Sequence, residues 1–298
     1  MQTLCCKVFL YGNKRENIIV ESMLNRFRFA LIIICLAFIG KVSAQFDDPK
    51  TLEVGFHGGL SYYIGDLNPT KHFAMPDMQF GGVVRFNANP RWTFRADYTQ
   101  AVVKATDKKI GWRPERNLGF RTVINDLSLI AEFNFFEYYT GTPKRNCSPY
   151  IFGGVSVFHY TPRFYAADTI GVALRPLNTE ALDKPYGFNA FGLSLPLGIS
   201  IPFGVGVKLA LSKRVAATFE WRMHKTFTDY IDDCGTIYPD QAHHAVVDGF
   251  DYTDPSGNYL PNQQRGDSAY KDSYGIVGAS FTWKFNMPDG RRCNLSNF

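Results

Sequence analysis

No stretch of the 298-residue sequence stays apolar for the roughly 20 residues that a membrane-spanning helix requires. The longest such run, residues 29–40, is about a dozen long, so a helical membrane protein is excluded. Cysteine is scarce. Of six in all, only Cys147, Cys234 and Cys293 lie beyond residue 44, too few for a disulfide framework. A phosphate-cradling glycine loop, a nucleophile elbow and a Cys-x-x-Cys pair are missing too, which removes the motif-bearing enzyme classes. A surplus of one charge is also lacking. Residues 1–44 hold six Lys/Arg and two Asp/Glu, leaving 26 against 25 in the remainder, so nothing favours a nucleic-acid partner.

The short apolar run has its own meaning. Arg26 and Arg28 precede it, and Val42-Ser43-Ala44 follows as a small-residue cleavage site, which is the layout of a secretory signal peptide. Residues 1–44 are therefore read as an N-terminal extension and signal peptide. Translation is expected to start at Met23, with cleavage after Ala44. Residues 45–298 form the exported domain with no catalytic, cofactor-binding or metal residues assigned.

What the chain does have is aromatic residues, 15% of the total, and strict alternation. In residues 198–210 the odd positions Ile199, Ile201, Phe203, Val205, Val207 and Leu209 are apolar. The even positions are Gly, Ser, Pro, Lys or Ala. Side chains of a strand alternate faces, so this segment is a strand with one apolar face, and a helix would scatter the same residues around its axis. Seven further segments read alike: 52–64, 79–87, 92–103, 126–139, 150–160, 215–227 and 274–285. In 150–160 the pattern is ambiguous, because Ile151, Val155 and Val157 compete with Tyr150, Phe152 and Phe158 for the outer face. Most of these strands exceed the usual five or six residues and match tilted strands that cross a bilayer.

The connections sort by parity. Those after the second, fourth and sixth strands (87–91, 140–148 and 212–214) are short, and those after the odd strands are long. That is the plan of an eight-stranded antiparallel transmembrane β-barrel of the outer-membrane type, with short periplasmic turns and long extracellular loops. Outer-membrane lipid then covers the apolar faces. The last strand ends on Phe285, with Phe281 and Trp283 on the same face, and a short periplasmic tail follows. The inward positions carry Arg85, Arg95, Asp97, Glu132, Lys208, Glu220, Arg222 and Lys284. A sandwich core would bury these charges at great cost, whereas a narrow barrel lets them pair. A lumen ionic network that plugs the barrel is the expectation, with Glu220 and Arg222 reaching neighbours on the sixth and eighth strands.

His57, His159 and His224 are read as members of that polar interior. A His–Ser pair at the rim, with His57 near Ser61, is the alternative that would make a lipid-modifying enzyme. A ligand-binding or adhesive surface protein is a second alternative and would use the long loops. Parity places Cys147 and Cys293 on the periplasmic side, where a bridge between them would pin the tail across the mouth.

Phe227-Thr228-Asp229-Tyr230-Ile231-Asp232-Asp233 resembles the F-T-D-Y-L-D-D signature of the PorG-like outer-membrane proteins of the type IX secretion system in Bacteroidota. Tyr63-Ile64-Gly65-Asp66-Leu67 is similar to that family's Y-x-G-D-L, and residues 199–208 resemble its sixth strand. Ile231 replaces the usual Leu, and Cys234 stands where small aliphatic residues are common. The resemblance implies a non-enzymatic, integral outer-membrane component without cofactors, serving protein secretion and gliding. Its implied partners are a periplasmic ring lipoprotein and that lipoprotein's partner subunit. The basic residues Lys144, Arg145, Arg291 and Arg292 would be the docking face. A purely local reading of residues 227–233 is that Phe227 and Tyr230 sit at the lipid–water boundary, with the aspartates just beyond it in water.

Overall fold

The computed structural model describes residues 50–140, 146–166, 169–182, 186–190 and 193–286. The signal segment, Lys144, Arg145, Arg291, Arg292 and Cys293 lie outside the described residues.

Eight long strands form the body: β1 (Thr51–Ile64), β2 (Asp77–Asn87), β3 (Trp92–Thr106), β4 (Gly119–Asn134), β5 (Cys147–Ala166), β6 (Leu197–Ala210), β7 (Val215–Thr226) and β8 (Ser273–Asn286). Each pairs antiparallel with the next, and β8 pairs with β1 in register from Thr51–Asn286 to Ile64–Ser273. The meander is a closed eight-stranded barrel of the outer-membrane type. Closure gives the backbone donors of the end strands partners, so no edge is left open. Among the described residues no helix is long and apolar enough to cross a membrane.

Burial is inverted relative to a water-soluble domain. Phe56, Leu129, Val155 and Phe219 point outward and are each more than half exposed, while Arg95, Glu132, Lys208 and Arg222 are nearly inaccessible. An apolar band on every strand has no stable place in water, but it costs nothing against lipid tails. Trp92, packed 5.1 Å from Phe133, with Phe135, Trp283 and Phe285, makes an aromatic girdle at the periplasmic end.

The ambiguity in β5 resolves cleanly. Ile151, Val155 and Val157 face lipid, and Tyr150, Phe152, Phe158 and Tyr160 fill the interior. The reason lies on the adjacent strand. Gly206, Gly204 and Gly198 of β6 sit beneath Tyr150, Phe152 and Phe158, and a β-carbon on any of these glycines would strike the ring above it. The rings enter because the glycines leave room.

The fourth strand differs from the expected 126–139. It starts at Gly119, because residues 119–125 continue pairing with β3 as far as Thr106 and with β5 as far as Phe164. It stops at Asn134, after which the amides of Phe135 and Tyr138 turn to the carbonyls of Pro149 and Pro90. Tyr138 then folds inward and is buried. Strands β3 to β5 therefore rise above the others on the extracellular side.

Candidate functional site

Seven of the eight expected lumen charges meet at mid-barrel. Glu132 pairs with Arg85 (3.4 Å), Arg95 (3.0 Å) and Lys208. Glu220 pairs with Arg95 (2.7 Å) and Arg222, and accepts a hydrogen bond from Tyr150 Oη at 2.9 Å. Asp97 bridges Arg95 (3.0 Å) and Arg222 (2.8 Å). The guanidinium groups of Arg95 and Arg222 also lie over the Phe152 ring, at 5.0 and 5.9 Å. Glu220 and Arg222 do not reach along the wall to β6 and β8, as expected from β7. They reach across the lumen to Arg95 and Asp97 on β3, because the barrel is narrow enough for opposite walls to touch.

Lys284 is the charge that stays apart. It sits at the periplasmic mouth, donating to the Thr140 carbonyl with its ammonium 4.7 Å from the Tyr139 ring. Thr140 Oγ1 donates to Glu53 at 2.7 Å, and Glu53 also accepts from Asn87 and Thr282. This set draws residues 138–140 in at the periplasmic opening. Cys147 is exposed at that end, and the expected bridge to Cys293 lies outside the described residues.

Of the histidines, His57 contacts Gln79, the Tyr98 carbonyl and Thr99. Ser61 instead donates to the Val102 carbonyl at 2.7 Å, so the two do not form a pair. His159 faces outward, because β5 places its odd-numbered residues there. His224 is fully buried, 3.1 Å from Ser200 Oγ and 3.0 Å from Tyr274 Oη, below the loops.

The two motif stretches meet at the extracellular end. Thr228, Ile231, Asp232 and Asp233 turn back over the barrel instead of projecting into solvent, and Asp229, Asp232 and Asp233 are all buried. The reading of these aspartates as solvated is thereby overturned. The force is local hydrogen bonding: each carboxylate has donors arranged around it that water would otherwise supply, except Asp229. Tyr63 Oη lies 2.6 Å from both Asp232 and Asp272. One hydroxyl proton cannot serve two anions, so a proton is held among these groups. Both carboxyls are pushed well above the usual carboxylate range, first by burial. A side chain on Gly65 would collide with Tyr63 Oη and the Asp272 carboxylate, which is why glycine follows Tyr63 at this spacing. Asp66 accepts the Asp267 amide at 2.9 Å, and burial pushes its carboxyl up to about 6.

Two arginines that the sequence did not single out complete the cap. Arg116 donates to both Asp107 oxygens (2.9 and 2.8 Å), to the Asp66 carbonyl and to the Arg265 carbonyl. Arg265 pairs with Glu180 at 3.0 Å and donates to the carbonyls of Asp233 and Thr253. Asp233 itself sits at φ 63° and accepts hydrogen bonds from Thr179 and Tyr186; burial lifts it to about 6. Glu180 in turn accepts the amides of Gly235 and Thr236. All four extracellular loops are joined through these groups. Asp66, Asp232 and Cys234 come close enough together to suggest a metal triad, but Arg116 places a cation 3.5 Å from the Cys234 sulfur, which opposes one.

The lumen network lies between a floor and a cap. Reconstituted protein should therefore show no steady single-channel conductance. Reproducible ion-selective steps that vanish when lumen charges are replaced would mean that a path runs through the network.

A family described as a domain of unknown function, DUF6089, matches residues 27–175. No curated protein matches the sequence. Among solved structures, the chain is similar to the N-terminal β-barrel domain of Pseudomonas aeruginosa OprF (10% identity, 80% of this chain and 98% of that one, TM-score 0.34). It is also similar to Ail, the attachment invasion locus protein of Yersinia pestis (9% identity, 80% and 99%, TM-score 0.38). A third is neisserial surface protein A (12% identity, 78% and 97%, TM-score 0.38).

Proposed function

The chain belongs to the DUF6089 family, and we propose that it is a non-enzymatic, integral outer-membrane component of the type IX secretion and gliding machinery, tying the outer membrane to the periplasmic ring. The observation that carries this reading is where the motif residues are spent. Tyr63, Gly65, Asp66, Asp232 and Asp233 close the extracellular end, and the lumen charges pair with one another. Among the described residues, a barrel closed in this way turns its lumen groups toward one another. What it offers is a stable body fixed in the membrane, as the resemblance to the PorG-like proteins implies. The His–Ser alternative has little support, since Ser61 turns away from His57 and the pair at Ser200 and His224 has no access.

The periplasmic face supplies the contact. Arg91, Lys213 and Arg214 are exposed on the short turns, and Lys144, Arg145, Arg291 and Arg292 add to them in sequence. A basic mouth suits an acidic ring subunit. Changing Lys144, Arg145, Arg291 and Arg292 together to Glu should leave a heat-modifiable, folded barrel at normal level, while ring subunits no longer co-purify and cargo export stops. Export and ring association that survive the change would move the contact away from this face.

A further inference from the structure

One motif carboxylate takes no part in the cap. Asp229 is 3% exposed, yet among the described residues neither of its oxygens accepts a hydrogen bond. The nearest cation, Lys271 Nζ, is 3.6 Å away, beyond hydrogen-bond reach, and that ammonium is committed to the Ser268 carbonyl at 2.7 Å. Burial pushes the Asp229 carboxyl up to about 7. A buried carboxylate without a hydrogen-bond donor is unfavourable, and the long ion pair with Lys271 relieves this one only in part.

Asp229 lines a cavity of about 770 Å³ on the barrel's outer wall, where the extracellular ends of β5, β6 and β7 meet the third loop. The mouth of the cavity is apolar. Val157, Ile199, Phe227 and Phe188 border it, each about half exposed or more. Val157 and Ile199 belong to the outward row that faces lipid, so the cavity is continuous with the hydrocarbon band. Its inner wall is the stacked pair Tyr186 and Tyr230, ring centroids 4.5 Å apart. An occupant thus meets apolar surface on the membrane side, then an acid held only by a long ion pair to a half-exposed lysine.

We propose that this groove holds an acyl lipid whose headgroup carries a primary ammonium next to a phosphate, with the ammonium on Asp229 and the phosphate facing Lys271. The charge order of the site matches that zwitterion, and the chain would lie along Val157 and Ile199. A neutral or purely anionic headgroup would leave Asp229 as it is. The inference does not depend on the secretion reading, since it uses only the outer wall.

The test is lipid retention on the full barrel, extracted gently and examined by native mass spectrometry after exchange into phosphatidylethanolamine, phosphatidylglycerol or N-acetylated phosphatidylethanolamine with identical acyl chains. The wild-type protein should keep one phosphatidylethanolamine about tenfold better than either comparator, the ratio expected for one charge-assisted hydrogen bond. Asp229→Asn should abolish that preference without changing heat-modifiability. Equal retention of the three lipids by the wild type would overturn the proposal without recourse to any variant, as would an Asp229→Asn barrel that still prefers the ammonium headgroup.

Discussion

Replacing Glu132 with Ala should destabilise the barrel by about 3–5 kcal/mol, the loss expected when one partner of a buried ion pair is removed. Glu132 is paired with Arg85, Arg95 and Lys208, all nearly inaccessible to water. Without it, three cations share a space closed above and below, and no solvent arrives to screen them. The readout is urea-induced unfolding in lipid vesicles, followed by tryptophan emission and by the shift between folded and unfolded bands on unheated gels. Glu132→Gln keeps the shape and removes the charge, so it should lose most of the same amount. A second change, Lys208→Met, should return part of the stability to Glu132→Ala while lowering that of the wild type, because the two sites are coupled. A loss below about 1 kcal/mol for Glu132→Ala, within the range of ordinary surface substitutions and exposed pairs, would show that the network is only incidental to stability.

The second large effect is expected at the cap. Arg265→Ala removes the counter-charge of Glu180 and the donor that holds the carbonyls of Asp233 and Thr253. Glu180 and Asp233 then remain buried without a cation. The loops should part, and the strands should not, since the barrel's hydrogen bonds are independent of Arg265. Hydrogen exchange at the amides of residues 231–236 and 264–267 should speed up on the order of a hundredfold or more. Exchange in β1 and β8 near mid-barrel should be unchanged. Unaltered protection in the loops would mean that the cap is held by Arg116 and the tyrosines alone. Faster exchange throughout the strands would mean that cap and barrel unfold as one unit.

The extracellular cap also changes how the motif residues are understood. Phe227 lies at the outer surface, 61% exposed, as expected of a residue at the lipid boundary. Asp232 and Asp233, a few positions on, are drawn inward by donors from Tyr63 of β1 and from Thr179 and Tyr186 of the third loop. The same short stretch therefore faces lipid at one end and seals the barrel at the other. Asp229, between them, does neither.

Much of this was legible from the sequence. Alternation by two assigns each residue to a face without reference to any partner, so strand positions and the lumen charges Arg85, Arg95, Asp97, Glu132, Lys208, Glu220 and Arg222 could be placed in advance. Loop parity set the sidedness by the same local logic. The pattern failed where both faces carried large apolar groups, as in β5; the glycines of β6 held the answer, but only once the two strands were known to be neighbours. The partners of the charges were not legible either, because Glu220 meets Arg95 across a lumen whose width follows from closure, not from spacing along the chain. Arg116 and Arg265 lie in loops without periodicity, and nothing local marks them as buried. Their role, and the burial of Asp232 and Asp233, come from loops distant in sequence converging over one opening, which only the tertiary structure brings about.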